Sequence, residues 1–243
     1  MPQKQVPRFY LDAPLRAGSV CFLPEDSAHH AVHVLRLREG DEVTLFNGRG
    51  GEFDARIAAM QRLKISIDVL QHRALERESP LRVTLVQGVS SGERMDSTLR
   101  KAVELGVAEV QPVLATRSVA RPKGERADSR RLHWQKVAIA ACEQCGRNRI
   151  PAVQPLTSVE DYRPGEGMKV LLSPQAKLKF SAAVKDAAAF ILAAGPEAGF
   201  TAEEEGAFVA AGFVPVSLGP RVLRTETASV AALAALSALR GDS

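Results

Sequence analysis

A change of hydrophobic period near Pro80 constrains the fold more than any other feature of the sequence. Up to about residue 73, apolar and polar residues alternate in SVCFLP, EVTLFNG, GEFDARIAAM and LKISIDVLQHR, the pattern of half-buried strands. One helix interrupts them, from about Ser27 to Leu37, with His30, Val34 and Leu37 on one face. Asn47 to Gly51 (NGRGG) lies between two strands rather than before a helix, so it reads as a hairpin turn and not as a phosphate loop. A small β-barrel over residues 1–75 is expected. After the polar stretch ALERESP the texture becomes that of strands alternating with helices. The strands are LRVTLVQGV, EVQPVLA, KVLLSP, AAFILAAG and FVPVSLG, continuous apolar runs of the kind buried in a parallel sheet. Helices are expected over residues 93–105, with Met95, Leu99, Ala102 and Val103 on one stripe, over 133–145, over 201–212 and over 225–239. Thr201 and Glu204 stand at capping-box spacing. Residues 80–243 therefore read as an α/β domain.

At 243 residues, 45% of them hydrophobic, the chain can fill one or two cores. No apolar run approaches the roughly 18 residues that span a bilayer, and MPQKQVPRFY lacks the apolar segment of a secretory signal. A soluble, cytoplasmic protein without membrane contact is expected. Cys142 and Cys145 form a lone C-x-x-C near a helix end, with no second pair at zinc spacing, so core packing is the better reading. His29 and His33 are four apart with no carboxylate to complete a metal set, so they read as surface or RNA-facing, and no metal is expected. The missing G-x-G-x-x-G and G-x-x-x-x-G-K-S/T motifs argue against an ordinary dinucleotide enzyme and an NTPase. Residues 81–151 carry 13 Lys and Arg against 7 Asp and Glu, while the flanking segments are near balance. Arg117, Arg121, Lys123, Arg126, Arg130 and Arg131 cluster there, which suits phosphate contact, although a solvated loop would look the same.

Three segments carry a resemblance that spans nearly the whole chain. They are Gly195-Pro196-Glu197-Ala198-Gly199-Phe200 after a buried strand, Leu218-Gly219-Pro220-Arg221-Val222-Leu223-Arg224-Thr225-Glu226-Thr227-Ala228 opening the last helix, and Ala141-Cys142-Glu143-Gln144-Cys145-Gly146-Arg147-Asn148-Arg149-Ile150-Pro151. With Lys101-Ala-Val-Glu-Leu-Gly-Val107 upstream, the chain resembles the RsmE family of 16S rRNA (uridine(1498)-N(3))-methyltransferases. The resemblance implies an N-terminal PUA-like barrel and a C-terminal SPOUT methyltransferase domain with a deep trefoil knot. It also implies a homodimer, S-adenosylmethionine as cofactor, and 16S rRNA in the small subunit or its assembly intermediate as substrate. Ala198 departs from the family's usual glycine; where such a position has positive φ, alanine costs about 1 kcal/mol.

In that reading the cofactor pocket is built from Leu172, Ser173 and Pro174, from Ala194, Gly195 and Gly199, and from Leu218, Gly219, Leu223, Arg224 and Thr227. Methylating uracil N3 requires loss of its proton, which leaves charge spread over O2, N3 and O4. Arg224 offers that anion a planar fork, Arg221 or Arg149 can hold the adjoining phosphate, and Glu226 or Glu197 can take the proton. Either glutamate can instead fix its loop by accepting backbone N–H bonds. RNA contacts are expected at Arg8, His30, Arg36, Arg121, Lys123, Arg126, Arg130, Arg131, Arg147 and Arg149. The alternatives are a knotted tRNA methyltransferase and a non-enzymatic RNA-binding protein.

Overall fold

The computed structural model describes residues 6–241 and separates into two compact units. The first takes the chain up to Glu78 together with Cys142–Ile150; the second takes Ser79–Ala141 and the chain from Pro151 onward.

The first unit contains β1 (Arg8–Tyr10), β2 (Val20–Phe22), α1 (Glu25–His33), β3 (Glu42–Phe46), β4 (Glu52–Gln61) and β5 (Lys64–Arg73). Its sheet runs β1-β3-β4-β5-β2, with β1 parallel to β3 and the other pairs antiparallel. The alternation in β5 puts Ile65, Ile67 and Val69 into a core with Phe9, Leu45 and Ile57, closed by Ala28 and Ala31 of α1. Gly48, Gly50 and Gly51 all take positive φ in the turn between β3 and β4, where side chains are disfavoured. The helix differs from expectation. It ends at His33 because the N–H groups of Val34 and Leu35 both turn to the His30 carbonyl, and Arg36 then adopts a left-handed φ of 54°. Val34 is consequently 62% exposed, and the buried helix face is Ala28 and Ala31.

Cys142–Ile150 joins this unit through polar contacts, so the α/β region is not continuous from 80 to the chain end. Asn148 is fully buried, donating from Nδ2 to the Leu75 carbonyl (2.6 Å) and accepting from Arg8 (2.7 Å). Glu52, almost wholly buried, is paired with Arg8, Arg73 and Arg77. Burial pushes its carboxyl up, but the Arg8 and Arg77 hydrogen bonds and charges hold it below the usual carboxylate range. Arg147 is buried against Glu78. The expectation that Arg8 and Arg147 face RNA is thus corrected: both point inward and are engaged by carboxylates. Burial pushes the Cys142 thiol up to about 12, which makes it inert as a nucleophile.

The second unit contains β6 (Arg82–Gly88), α2 (Gly92–Glu104), β7 (Glu109–Leu114), α3 (Glu125–Cys145, its last turn counted with the first unit), β8 (Ala152–Val153) and β9 (Thr157–Ser158). There follow β10 (Met168–Leu172), α4 (Phe180–Ala183), β11 (Ala189–Ala194), α5 (Ala202–Ala210), β12 (Val214–Val216) and α6 (Thr225–Arg240). The sheet order is β12-β10-β11-β6-β7-β8, with β9 also on β7, and every pairing is parallel. Strands buried on both faces need unbroken apolar runs, and Phe190 to Ala194 of β11 are all buried. α2 buries Met95, Leu99, Ala102 and Val103 as its stripe indicates. α3 begins eight residues earlier than its stripe suggests, because Glu125–Leu132 is helical without an apolar face. The capping box of α5 is formed in both directions, Glu204 N–H to Thr201 Oγ1 (3.2 Å) and Thr201 N–H to the Glu204 carboxylate (2.8 Å).

Candidate active site

Strands of a parallel sheet all end on one edge, so the loops leaving the neighbours β12, β10 and β11 gather there. They enclose a cavity of about 270 Å³. Leu172, Ser173 and Pro174 line it after β10, Ala194, Gly195 and Gly199 after β11, and Leu218, Gly219 and Leu223 after β12. Two residues expected among them do not line it. Arg224 is the exposed N-cap of α6, and Thr227 is exposed one turn on. Helical spacing explains the exchange: Thr225 and Ala228, three apart, share the face toward the cavity, and Thr227 lies off it. Gln175, Glu205 and Val216, which no motif singles out, also line the cavity, as does Arg117, expected only as part of the basic cluster. Ser173 Oγ lies 3.3 Å from the Glu205 carboxylate. No local motif marks that pair, which comes from different loops.

Glycines permit the close approaches. A Cβ on Gly88 would fall 2.5 Å from the Pro196 ring, and one on Gly195 would fall 3.0 Å from the Gly199 Cα. Gly199 takes the left-handed φ of 70°; Ala198 does not, since Arg36 and Arg62 are the non-glycine residues with positive φ among those described. Alanine therefore carries no such strain here.

Behind the cavity lies a buried polar network centred on Gln87, the residue before the end of β6. Its Nε2 donates to the Gly88 carbonyl (3.1 Å) and to Thr225 Oγ1 (3.1 Å), with the Gly195 carbonyl at 3.4 Å. Its Oε1 accepts from Ser229 Oγ (2.6 Å), while Thr225 Oγ1 donates to the Gly195 carbonyl (2.6 Å). One side chain thus ties the loop after β11 to the first two turns of α6.

The two glutamates considered as bases are placed differently. Glu197 accepts from the Ser91 N–H (2.8 Å) and from Arg94 (3.3 Å). Burial raises its carboxyl, but the hydrogen bonds from Ser91, from its own backbone and from Arg94 leave it below the usual range. The other oxygen of Glu197, Oε2, is buried with no hydrogen-bond partner among the described residues, and so is Oε2 of Glu226, in the first turn of α6.

Of the basic residues, Arg121, Arg126 and Arg130 line a second concavity in the same unit. Lys123 is exposed, and Arg131 is half-buried and does not line it. In the first unit His30 and Arg36 are exposed, and Arg149 is exposed while paired with Glu76 at 3.3 Å. Among the described residues, no group of three or more His, Cys, Asp or Glu is arranged to hold a metal, and the rings of His29 and His33 lie against each other at 4.4 Å. No helix among them is long and apolar enough to cross a membrane.

A parallel sheet with a glycine-walled cavity at its carboxyl edge defines an α/β ligand-binding domain. The family described as RNA methyltransferase domain matches residues 77–237, and the one described as RNA methyltransferase PUA domain matches residues 23–70. A curated relative from Buchnera aphidicola, ribosomal RNA small subunit methyltransferase E, is 32% identical, the match covering 98% of this chain and 96% of the relative. The chain belongs to this family of RNA methyltransferases, with an N-terminal PUA-like domain and a C-terminal methyltransferase domain. Among solved structures, a Neisseria gonorrhoeae ribosomal RNA small subunit methyltransferase E bound to S-adenosylmethionine is 41% identical, with a TM-score of 0.92 over 98% of this chain and 99% of that one. A Legionella pneumophila protein solved with bound SAM superposes with a TM-score of 0.95 at 35% identity, over 98% of this chain and all of that one.

Proposed function

We propose that the chain transfers the methyl group of S-adenosylmethionine to N3 of a uridine in small-subunit 16S rRNA, at the position 1498 carried by the RsmE name. The observation that carries this reading is the cavity at the ends of β10, β11 and β12, in a chain that matches a SAM-bound relative over almost its full length. The cavity's chemistry suits that cofactor. Leu172, Val216, Leu218 and Leu223 give an adenine ring an apolar wall, and the bare backbones of Gly195 and Gly199 allow close approach. Glu205 and Arg117 set opposite charges on the wall, complementary to an ammonium and a carboxylate. When bound, the cofactor supplies an electrophilic methyl on a sulfonium.

The chain's own residues must supply the nucleophile. Arg224, exposed at the mouth of α6, offers two parallel N–H donors to a uracil losing its N3 proton. Glu226 is favoured over Glu197 as the acceptor of that proton: each has a buried Oε2 without a hydrogen-bond partner among the described residues, but the hydrogen bonds from Ser91 and Arg94 to Glu197 lower its carboxyl and make it the weaker base. Glu197 then serves as the anchor of the Gly195–Phe200 loop. In this reading His30, Arg36 and Arg149 of the first unit, and separately Lys123 and Arg131 of the second, meet rRNA in the subunit or its precursor, with Arg221 at the cavity. A target N3 must be unpaired to react, so the uridine is presented out of its stack. The family fold further implies a SPOUT domain with a deep trefoil knot, a homodimer, a barrel-shaped RNA-docking domain and a cytoplasmic site of action.

Mass spectrometry of 16S rRNA nucleosides from a deletion strain tests the reading. We expect loss of 3-methyluridine, restored when the purified chain and S-adenosylmethionine are added. A missing methyl on tRNA, or none missing, would reject it.

A further inference from the structure

The second concavity has a volume of about 610 Å³ and opens between Ala120–Pro122 and the α3 face bearing Arg126, Ser129, Arg130 and His133. Those four positions are three and four residues apart and therefore share one face. Among the described residues no carboxylate lines this cleft. Arg121 donates to the carbonyls of Ala115 and Thr116, which holds its guanidinium in place. Arg126 and Arg130 are exposed and, among the described residues, paired with no carboxylate. His133 is tethered by its Nε2 to Asp96 of α2 at 2.9 Å, which leaves the other ring nitrogen for a ligand.

Three guanidinium groups around one concavity repel each other unless an anion sits between them, and a concave wall concentrates their field. The arginine fork matches two oxygens of a phosphate at once. Serine and histidine beside it suit a neutral backbone oxygen or hydroxyl next to that phosphate. We propose that this cleft seats one phosphodiester of the RNA substrate, with Arg126 and Arg130 as its contacts, Arg121 as a fixed neighbouring charge, and Asp96 as a positioning residue for His133. The proposal rests on the reading of the chain as an rRNA methyltransferase and adds where the RNA backbone is gripped.

The test uses the full chain and a fluorescein-labelled single-stranded fragment of 16S rRNA. The double variant Arg126→Gln with Arg130→Gln should bind it at least about tenfold more weakly at 0.1 M salt. Its plot of log affinity against log salt should be shallower by about 0.7 for the single lost phosphate contact. Arg163→Gln, an equal charge loss on an exposed arginine of the same unit, should change neither quantity. Asp96→Asn should weaken binding a few-fold, and calorimetric affinity for S-adenosylmethionine should be the same in all four proteins. Unchanged RNA affinity and slope in the double variant, or an equal loss in Arg163→Gln, would overturn the phosphate seat while the parent chain still methylated rRNA. A parent chain that bound no S-adenosylmethionine and methylated no rRNA would instead overturn the functional reading beneath it.

Discussion

Arg224 ends the loop after β12 and Glu197 lies in the loop after β11, and their surroundings separate a chemical role from an anchoring one. Arg224 is exposed and lines no wall, so its loss should leave cofactor binding nearly intact. Arg224→Lys keeps the charge and loses the planar fork, and single-turnover methyl transfer should fall by about 10²-fold, the scale of one lost oxyanion donor. Raising the pH should recover part of that rate, because more uracil ionises unaided. A loss of cofactor affinity matching the loss of rate, without pH recovery, would make Arg224 a wall residue instead. For Glu197 the carboxyl is held below its ordinary value of 4.5, so its hydrogen bonds stabilise the fold fully above that value and are lost as pH falls through the lower folded value. Glu197→Gln should therefore melt below the parent at neutral pH, and the gap should close in melts recorded progressively below about pH 4.5. A gap independent of pH would mean that the charge of Glu197 contributes nothing to the anchor. Of these two residues the sequence supplied the candidates, and the placement of Ser91 and Arg94 beside one of them supplied the distinction.

Elements long enough to bury a face were legible from their period, and short or exposed ones were not. β6, β7, β11 and β12 fall within the apolar runs that announce them and α5 within its stripe, while β10 and α2 begin one residue before theirs and α6 ends one residue after. α4, β8 and β9 are four, two and two residues long, too short for any period to register. The first two turns of α3 escape for the opposite reason: ERADSRRL is helical yet exposes most of its residues, so no apolar stripe marks it. Gln87 shows the same limit from the inside of the protein. In the run LRVTLVQGV it reads only as a polar interruption, yet it joins β6 to α6 and to the loop after β11. Gln87→Leu keeps much of the volume but leaves the Ser229 hydroxyl only the more distant Thr225 carbonyl (3.3 Å) as acceptor and removes the donor to the Thr225 hydroxyl. Chemical denaturation should show a loss of about 1–3 kcal/mol, the cost of stranding such a group. S-adenosylmethionine should bind more weakly, because the loop and helix are no longer tied. Unchanged cofactor affinity would confine the network to stability.

At the scale of the molecule, α6 buries Thr225, Ser229, Ala232, Leu233 and Leu236, a single stripe, and leaves Ala234, Ala238 and Leu239 exposed. A terminal helix rich in alanine and leucine with an uncovered apolar side is suited to a second copy of the chain. Sedimentation at micromolar concentration should give twice 26.1 kDa, and Leu239→Glu should shift the mass toward the monomer. A parent chain that sediments as a monomer would reject the dimer. What the sequence by itself determined was local: the change of period near Pro80, the burial of the long strands, the NGRGG turn, the capping box of α5, and the motif loops that make up most of the cavity wall. Each of these is fixed by how a short segment distributes apolar, glycine and capping residues about its own axis. Only the tertiary structure decided which segments meet. It drew Cys142–Ile150 to the first unit through Asn148, turned Arg8 and Arg147 onto the carboxylates of Glu52 and Glu78, and brought Gln87 to Ser229 across 142 residues. Periodicity reports that a face is covered and is silent about what covers it; strand order settles that, and it is a property of the folded chain.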